Sequence, residues 1–214
     1  MKSPRKRSRN TRRRLLDSAR EVFAHKGYRD ATIAEICQRA GTNIAAVNYH
    51  FGDKESLYVQ AWHHCFQLSL ETYPPDGGLG DDAPPEERLR ARVTALLRRI
   101  SDEASCEFAI IRTELSNPTG LLHDAMRDTI HPLREKMTLL VRELLGPRAS
   151  DTQVRFCQIS ILSQCLDVMM RRKLIPRLGK YGPLAIGDVD AYADHIVKFS
   201  LAGIRAVREE AERG

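Results

Sequence analysis

Thr32–Leu57, TIAEICQRAGTNIAAVNYHFGDKESL, decides the fold. Thr32 with Glu35 three residues on has the spacing of a capping box, in which the hydroxyl accepts from the backbone N–H of residue 35 and the carboxylate reaches back. Ile33, Ile36, Cys37 and Ala40 then recur at i, i+3, i+4 and i+7, one apolar helix face. Gly41 suits the left-handed residue that ends a helix. Thr42 and Asn43 bring side-chain oxygens that can cap a second helix at once. Two short helices joined this tightly, with small Ala40 and Gly41 at the corner, read as a helix-turn-helix. Helical corners that never touch DNA share that pattern, so the flanking residues must decide.

The second helix buries Val47 and Phe51. Ala45 and Ala46 leave its front flat enough to enter a major groove, beside Ile44 and Asn48. Asn48, Tyr49 and His50 add hydrogen-bonding tips with no acid to repel phosphate; His50 could equally cap or pack inside the domain. Lys54 lies in the first turn of the next helix, where the macrodipole favours acids, so helix stability does not explain it.

These residues resemble the DNA-binding domain of the TetR family of bacterial repressors. The shared signature is Ala40-Gly41, Asn43, Tyr49-His50-Phe51, Lys54-Glu55 and Leu57, within a match over about residues 10–60. The family usually has Tyr where this chain has Asn48, and a branch of it is similar in carrying Asn-Tyr-His-Phe. The base-edge contact is therefore open between Asn48 and Tyr49. SNPTGLL, HPLREKMTLLVRELLG and SILSQC, further along, are also similar to a CecR-like branch.

The charge distribution supports a nucleic-acid partner. Residues 1–57 hold 13 Lys and Arg against 6 Asp and Glu, a net of +7, whereas residues 58–214 carry a net of −1. Eight basic residues and no acid lie between Lys2 and Arg14. Beside this motif, phosphate binding with counterion release accounts for such a run better than a merely solvated tail.

The remaining chain reads as helix throughout, so the fold class is all-α. Its 214 residues, 42% apolar, suffice for one to two domains. A basic arm over 1–10 precedes a three-helix DNA-binding domain over 11–57, and a larger helical effector-binding and dimerisation domain fills 58–214. Helix 1 is expected from about Thr11 to His25, closed by Lys26-Gly27, with Leu15, Leu16, Ala19, Val22 and Phe23 as its stripe. The next long helix, about Asp53–Thr72, carries Leu57, Tyr58, Ala61, Trp62, Cys65 and Phe66 on one face. YPPDGGLGDDAPP at 73–85 is a break. Pro132 predicts a kink or break at His131-Pro132, because it removes a backbone donor and disfavours helix in the residue before it. Ser150 to Gln153 is a second capping box, opening a helix to about Leu174, and Asp188 caps the last helix. Both final helices are apolar on two sides, which calls for two partners: their own core and a second copy of the chain. The resemblance implies the same, a dimer through the last two helices. The interface residues expected are Val154, Ile161, Cys165, Met169, Tyr192, Ile196, Phe199, Gly203 and Val207.

No segment approaches 18 consecutive apolar residues and no secretory leader precedes the helices, so a cytoplasmic protein without a membrane span is expected. The five cysteines show no C-x-x-C spacing. They read as small buried hydrophobes, with neither a disulfide framework nor a metal site. No nucleophile elbow, P-loop or zinc-protease motif occurs, so no enzyme and no cofactor are expected.

The function this supports is a dimeric, ligand-responsive transcriptional regulator, a repressor by resemblance, on a pseudo-palindromic DNA operator. A constitutive architectural DNA binder without effector is the alternative, with a helical enzyme behind it. Thr32, Asn43, Tyr49, His50 and Lys54 would meet phosphate, Ile44, Ala45, Ala46 and Asn48 base edges, and Arg7, Arg9, Arg12 and Arg13 phosphates from the arm, with Thr42 also at the DNA. The resemblance also implies a small, largely apolar effector among the helices. Its lining is expected from Phe66, Leu70, Phe108, Ile111, Arg112, Leu115, Met126, Ile130, His131, Met137, Phe156, Ser160 and Gln164. Glu114 reads as part of a polar cluster with Arg112 and His131.

Overall fold

A computed structural model describes residues 4–178, 186 and 188–213, with side chains over the same span except 4–6 and 171–178. Among the described residues there are nine helices and no strand. They are α1 (Pro4–Asp30), α2 (Ile33–Ala40), α3 (Ile44–Phe51), α4 (Lys54–Thr72), α5 (Pro85–Ser101), α6 (Cys106–Ser116), α7 (His123–Leu145), α8 (Asp151–Leu178) and α9 (Val189–Arg213).

The chain folds as two compact units, divided differently from the sequence expectation. One takes the chain through Glu71 together with Glu103–Thr129; the other takes Thr72–Asp102 and Ile130 onward. The DNA-binding helices thus share a unit with α4, α6 and the first residues of α7. Position 57 marks no boundary because α4 is continuous through it, and Leu57, Tyr58, Ala61 and Trp62 have no exposure in this unit's core.

In the first unit, Leu15, Leu16, Ala19, Val22 and Phe23 of α1 are buried with Ile36, Cys37 and Ala40 of α2, and with Val47 and Phe51 of α3. Phe23, Tyr28 and Tyr58 form an aromatic cluster, with Phe23 and Tyr58 edge to face at 4.8 Å. Helix α1 starts at Pro4, earlier than expected. Proline is favoured at a first helical position, where its missing N–H costs nothing, and the Arg-rich run after it is a good helix former. The same helix changes course at Gly27, where φ 73 and ψ −178 are accessible to glycine without a Cβ penalty. The expected stop at Lys26-Gly27 is therefore a kink, and helix resumes to Asp30. Helix α6 packs on α1 and is tied to α4 by a disulfide between Cys65 and Cys106, whose Cα atoms lie 5.5 Å apart. The expectation that no cysteine pairs is corrected here. Forty-one residues separate the two, so only tertiary packing brings them together and no local spacing signals it.

In the second unit, α5 packs on α8 and α9, which also pack on each other. Leu89, Val93, Leu97 and Ile100 of α5 are buried with Val154, Ile161, Cys165, Val168 and Met169 of α8, and with Ala193, Ile196, Val197 and Ile204 of α9. Arg98 grips Asp190 with two hydrogen bonds of 3.0 Å. The second capping box forms in both directions: Gln153 N–H donates to Ser150 Oγ, and Ser150 N–H donates to Gln153 Oε1 at 2.9 Å. The break expected at His131-Pro132 does not occur. Helix α7 runs through Pro132, and residues 131, 132, 134, 135 and 136 are exposed. The carbonyl that proline leaves without a helical donor, that of Asp128, also lies in an exposed stretch, where solvent can satisfy it.

Candidate nucleic-acid interface

The helix-turn-helix is held by caps that the sequence spells out. Glu35 N–H donates to Thr32 Oγ1 at 3.2 Å. The other half of the box goes elsewhere: Glu35 Oε2 accepts from Lys26 Nζ at 2.7 Å. At the corner Gly41 is left-handed (φ 57, ψ 46). Its N–H donates to Gln38 O at 3.2 Å and Thr42 N–H to Cys37 O at 3.0 Å, the paired bonds of a Schellman ending. Arg14, which the sequence does not single out, reaches across from α1 to Ala40 O and to Gly41 O, the latter at 3.0 Å. Asn43 Oδ1 then accepts from Ala46 N–H at 3.1 Å and starts α3.

Helix α3 rests on Val47 and Phe51 and turns its other face outward. Asn43, Ala45 and Asn48 are exposed, Ile44 is 53% exposed and Tyr49 80% exposed. Thr42, Ala46 and His50 are half-buried. His50 packs edgewise between Tyr49 at 4.8 Å and Phe51 at 6.2 Å. A large apolar side chain and a tyrosine this exposed, beside an amide and small residues and without an acid, suit a groove wall of base edges and methyl groups.

The basic residues have separate surroundings. Arg7, Arg9 and Arg13 are exposed, Arg13 lying 3.8 Å from Asp17. Arg12 instead stacks its guanidinium 5.2 Å from the Phe51 ring and donates to Gln60 Oε1 at 2.6 Å, fastening α1 to the base of α3 and to α4. Lys54 places its ammonium 4.4 Å from the Tyr28 ring centroid, and partial burial lowers its pKa. Asp53 caps α4 through Ser56 N–H at 2.7 Å, a bond that holds its carboxyl below the usual range.

The residues expected to line an effector pocket divide between the units. Phe66, Phe108 and Ile111 are buried in the first, with Leu70, Arg112 and Met126 half-buried, while Leu115 is 59% exposed. In the second, Met137 is buried and Ile130 and Gln164 are half-buried, but His131, Ser160 and Phe156 are exposed. His131 faces Glu135 at 3.8 Å, one turn on. Leu115, His131, Phe156 and Ser160 thus lie at the surface of their own units; Leu115 shares the face of Phe108 and Ile111 but sits in the last turn of α6. A depression of about 730 Å³ in the second unit is lined by Tyr73, Arg98, Ser101, Asp102, Asp188, Val189 and Asp190, none of them expected. Glu114 is a hub within the first unit: its carboxylate accepts from Tyr58 Oη at 3.0 Å, Thr119 N at 2.8 Å and Gly120 N at 3.0 Å.

The residues expected at a dimer interface divide in the same way. Val154, Ile161, Cys165, Met169 and Ile196 are buried within their own unit. The open apolar residues are Phe156, Ile159, Leu166 and Met170 on α8 and Phe199 on α9. Both stripes of each helix are visible in the sequence, but which one faces inward depends on α5. Gly203 and Phe199 are exposed, and Tyr192 and Val207 are half-buried.

A helix-turn-helix head with an exposed recognition helix, on a chain whose described elements are all helices, defines a DNA-binding regulator class. The chain belongs to the TetR family of bacterial regulators. Residues 15–61 match the family model for the bacterial regulatory proteins of the tetR family. Residues 85–204 match the model for the C-terminal domain of the HTH-type transcriptional dual regulator CecR. The Shigella flexneri CecR is 26% identical over 175 residues, covering 77% of this chain and 78% of that protein. Among solved structures, the fatty acid degradation regulator FadR from Bacillus halodurans superposes with a TM-score of 0.67 at 16% identity, over 96% of this chain and 98% of that one. Bacillus subtilis FadR in complex with stearoyl-CoA gives 0.65 at 16% identity, over 89% and 98%. The chain is a TetR-family transcriptional regulator, a family of non-enzymes. Among the described residues no helix is long and apolar enough to cross a membrane.

Proposed function

We propose that this regulator binds a pseudo-palindromic operator as a homodimer and leaves it when a small, largely apolar effector binds. The observation that carries the reading is the outer face of α3, where Ile44 and Tyr49 stand exposed beside Asn48 without an acid. Thr32, Thr42, Asn43, Tyr49, His50 and Lys54 serve as phosphate contacts, Ile44, Ala45, Ala46 and Asn48 as base-edge contacts, and exposed Arg7, Arg9 and Arg13 add sequence-independent attraction. Two copies meet through the open apolar faces of α8 and α9, which spaces two recognition helices for two half-sites. Stearoyl-CoA in the Bacillus subtilis FadR complex makes acyl-CoA thioesters the first effector probes.

Fluorescence anisotropy against a duplex selected from random DNA tests the head. Tyr49→Ala should weaken binding at least about tenfold, on the scale of one or two lost groove contacts, and Lys54→Ala should lower the salt slope by about one counterion. An unchanged slope would assign Lys54 to its cation–π contact with Tyr28 instead of phosphate. Acyl-CoA titrated into the complex should release the duplex; tight binding without release would remove the switch.

A further inference from the structure

We propose that Cys65 and Cys106 are a reversible thiol switch, closed by hydrogen peroxide, that fixes α4 to α6 and so sets operator affinity. Its consequence for DNA rests on the function proposed above. The two sulfurs are bonded within one unit, Cys65 fully buried in mid-α4 and Cys106 partly exposed as the first residue of α6. Beside the bond, one turn along α4, Ser69 Oγ and Ser105 Oγ share a buried hydrogen bond of 3.1 Å. The two helices thus meet through a small polar patch centred on the cysteines. A DNA-binding regulator works where thiol buffers keep cysteines reduced, and a disulfide in such a setting is usually transient and sensing.

Position makes Cys106 the group that meets the oxidant. It is partly exposed at a helix N-terminus, where the helix dipole favours a thiolate. The three unbonded cysteines contrast with it. Cys37 and Cys165 are buried, and burial pushes their thiols up, Cys165 to about 12; half-buried Cys157 is raised for the same reason.

In the reduced chain, the Cys106 thiolate attacks one peroxide oxygen, forming an S–O bond and breaking O–O. The leaving hydroxide takes up the proton that the thiol released on ionising and departs as water. Cys65 sulfur then attacks the sulfenic sulfur, S–S forms as S–O breaks, and the second hydroxide leaves with the Cys65 proton as water. Two thiols and one peroxide give one disulfide and two waters. A low-molecular-weight thiol reverses it by two exchanges.

The link matters because α6 also carries the head. Arg29 donates to Pro118 O at 3.2 Å just past the end of α6, Tyr58 donates to Glu114, and Thr113 packs where a Cβ on Gly27 would sit, 3.5 Å away. Helix α4 begins two residues after Gly52 closes α3. Joining α4 to α6 at Cys65 therefore removes freedom from the frame that presents α3, and opening the bond restores it.

The test uses the full chain, reduced and then exposed to hydrogen peroxide. Wild type should lose two alkylatable thiols and about 2 Da, with Cys65 and Cys106 peptides joined, and dithiothreitol should restore both. The closed form should melt several degrees higher, because the bond restricts the unfolded chain. Its affinity for a duplex that the reduced chain selects from random DNA should differ by about threefold or more, within the usual span of coupling. Cys106→Ser and Cys65→Ala should show no peroxide-dependent change in melting or affinity. Thiols that stay alkylatable in peroxide, oxidation at Cys37, Cys157 or Cys165 instead, or closed and open wild type of equal affinity would overturn the switch. If the reduced chain selects no duplex, the DNA-binding reading fails, and disulfide formation with the melting shift alone decides the thiol pair.

Discussion

At Tyr58 a phenol with no solvent exposure donates to Glu114, and both burial and that carboxylate push its pKa above the ordinary value of 10.0. The unfolded chain gives up this proton first. Tyr58 therefore contributes fully below about pH 10, and its contribution falls as pH rises through that value. Tyr58→Phe should lose about 1–2 kcal/mol at neutral pH, the scale of one hydrogen bond to a charged group whose remaining donors stay in place. It should also flatten the alkaline loss of stability, measured by urea unfolding at about pH 7 and about pH 10.5. An equally steep alkaline loss in the variant would place the titrating group elsewhere, with Tyr28, also raised, the first to examine. Single residues were legible in the sequence where their partners are local. Thr32, Asn43 and Ser150 cap as their spacing indicates, because donor and acceptor lie three residues apart. Glu114 and Arg14 were not legible as a hub and a brace. Tyr58 lies 56 residues from Glu114 and Ala40 26 from Arg14, and no periodicity encodes such distances; the bonds of Glu114 to Thr119 and Gly120 are local but belong to a loop without a repeating pattern.

Elements follow the same division between near and far. The short helices α2 and α3 end where Gly41 and Gly52 take positive φ, and the apolar spacing inside them matches what they bury. Helix α7 departs from its local signal, since Pro132 forbids one hydrogen bond yet the helix continues. Continuity must then come from neighbours on the same helix: Met137, Leu140, Val141, Leu144 and Leu145 bury one end, and Leu122 lies buried just before the other. Pro132→Ala restores the missing donor and removes the ring from the preceding turn. Proline inside a helix costs up to about 3 kcal/mol against alanine, so the variant should gain about 1–3 kcal/mol and melt several degrees higher. A melting temperature that does not rise would show that the surrounding backbone already fits the proline. Helices α8 and α9 illustrate a different limit. Two apolar stripes on one helix are readable from sequence, but α5 decides which becomes core, and nothing local to α8 or α9 names α5.

For the molecule as a whole, the sequence division at residue 57 and the structural division differ because compact units form by packing, and the chain enters each of them twice. The consequence for assembly lies in the second unit alone. On α8, Phe156, Ile159, Ser163, Leu166 and Met170 are exposed at alternating spacings of three and four, the seam by which helices pair. On α9, Phe199 is 64% exposed and Gly203 follows one turn later. A Cβ at Gly203 would meet nothing within 4 Å in its own chain. Gly203→Leu should therefore fold at least as well as wild type, since leucine is also the better helix former by up to about 0.8 kcal/mol. If a second copy lies against this face, the leucine must collide with it. Light scattering should then show a folded chain of monomer mass, and Phe156→Glu should do the same by placing a charge in an apolar seam. Both variants should bind a full operator far more weakly than wild type while retaining affinity for a half-site, because two linked heads hold two half-sites with the effective concentration that the dimer supplies. Dimer mass retained in both variants would move the contact to another face, with exposed Leu139 of α7 the next to substitute.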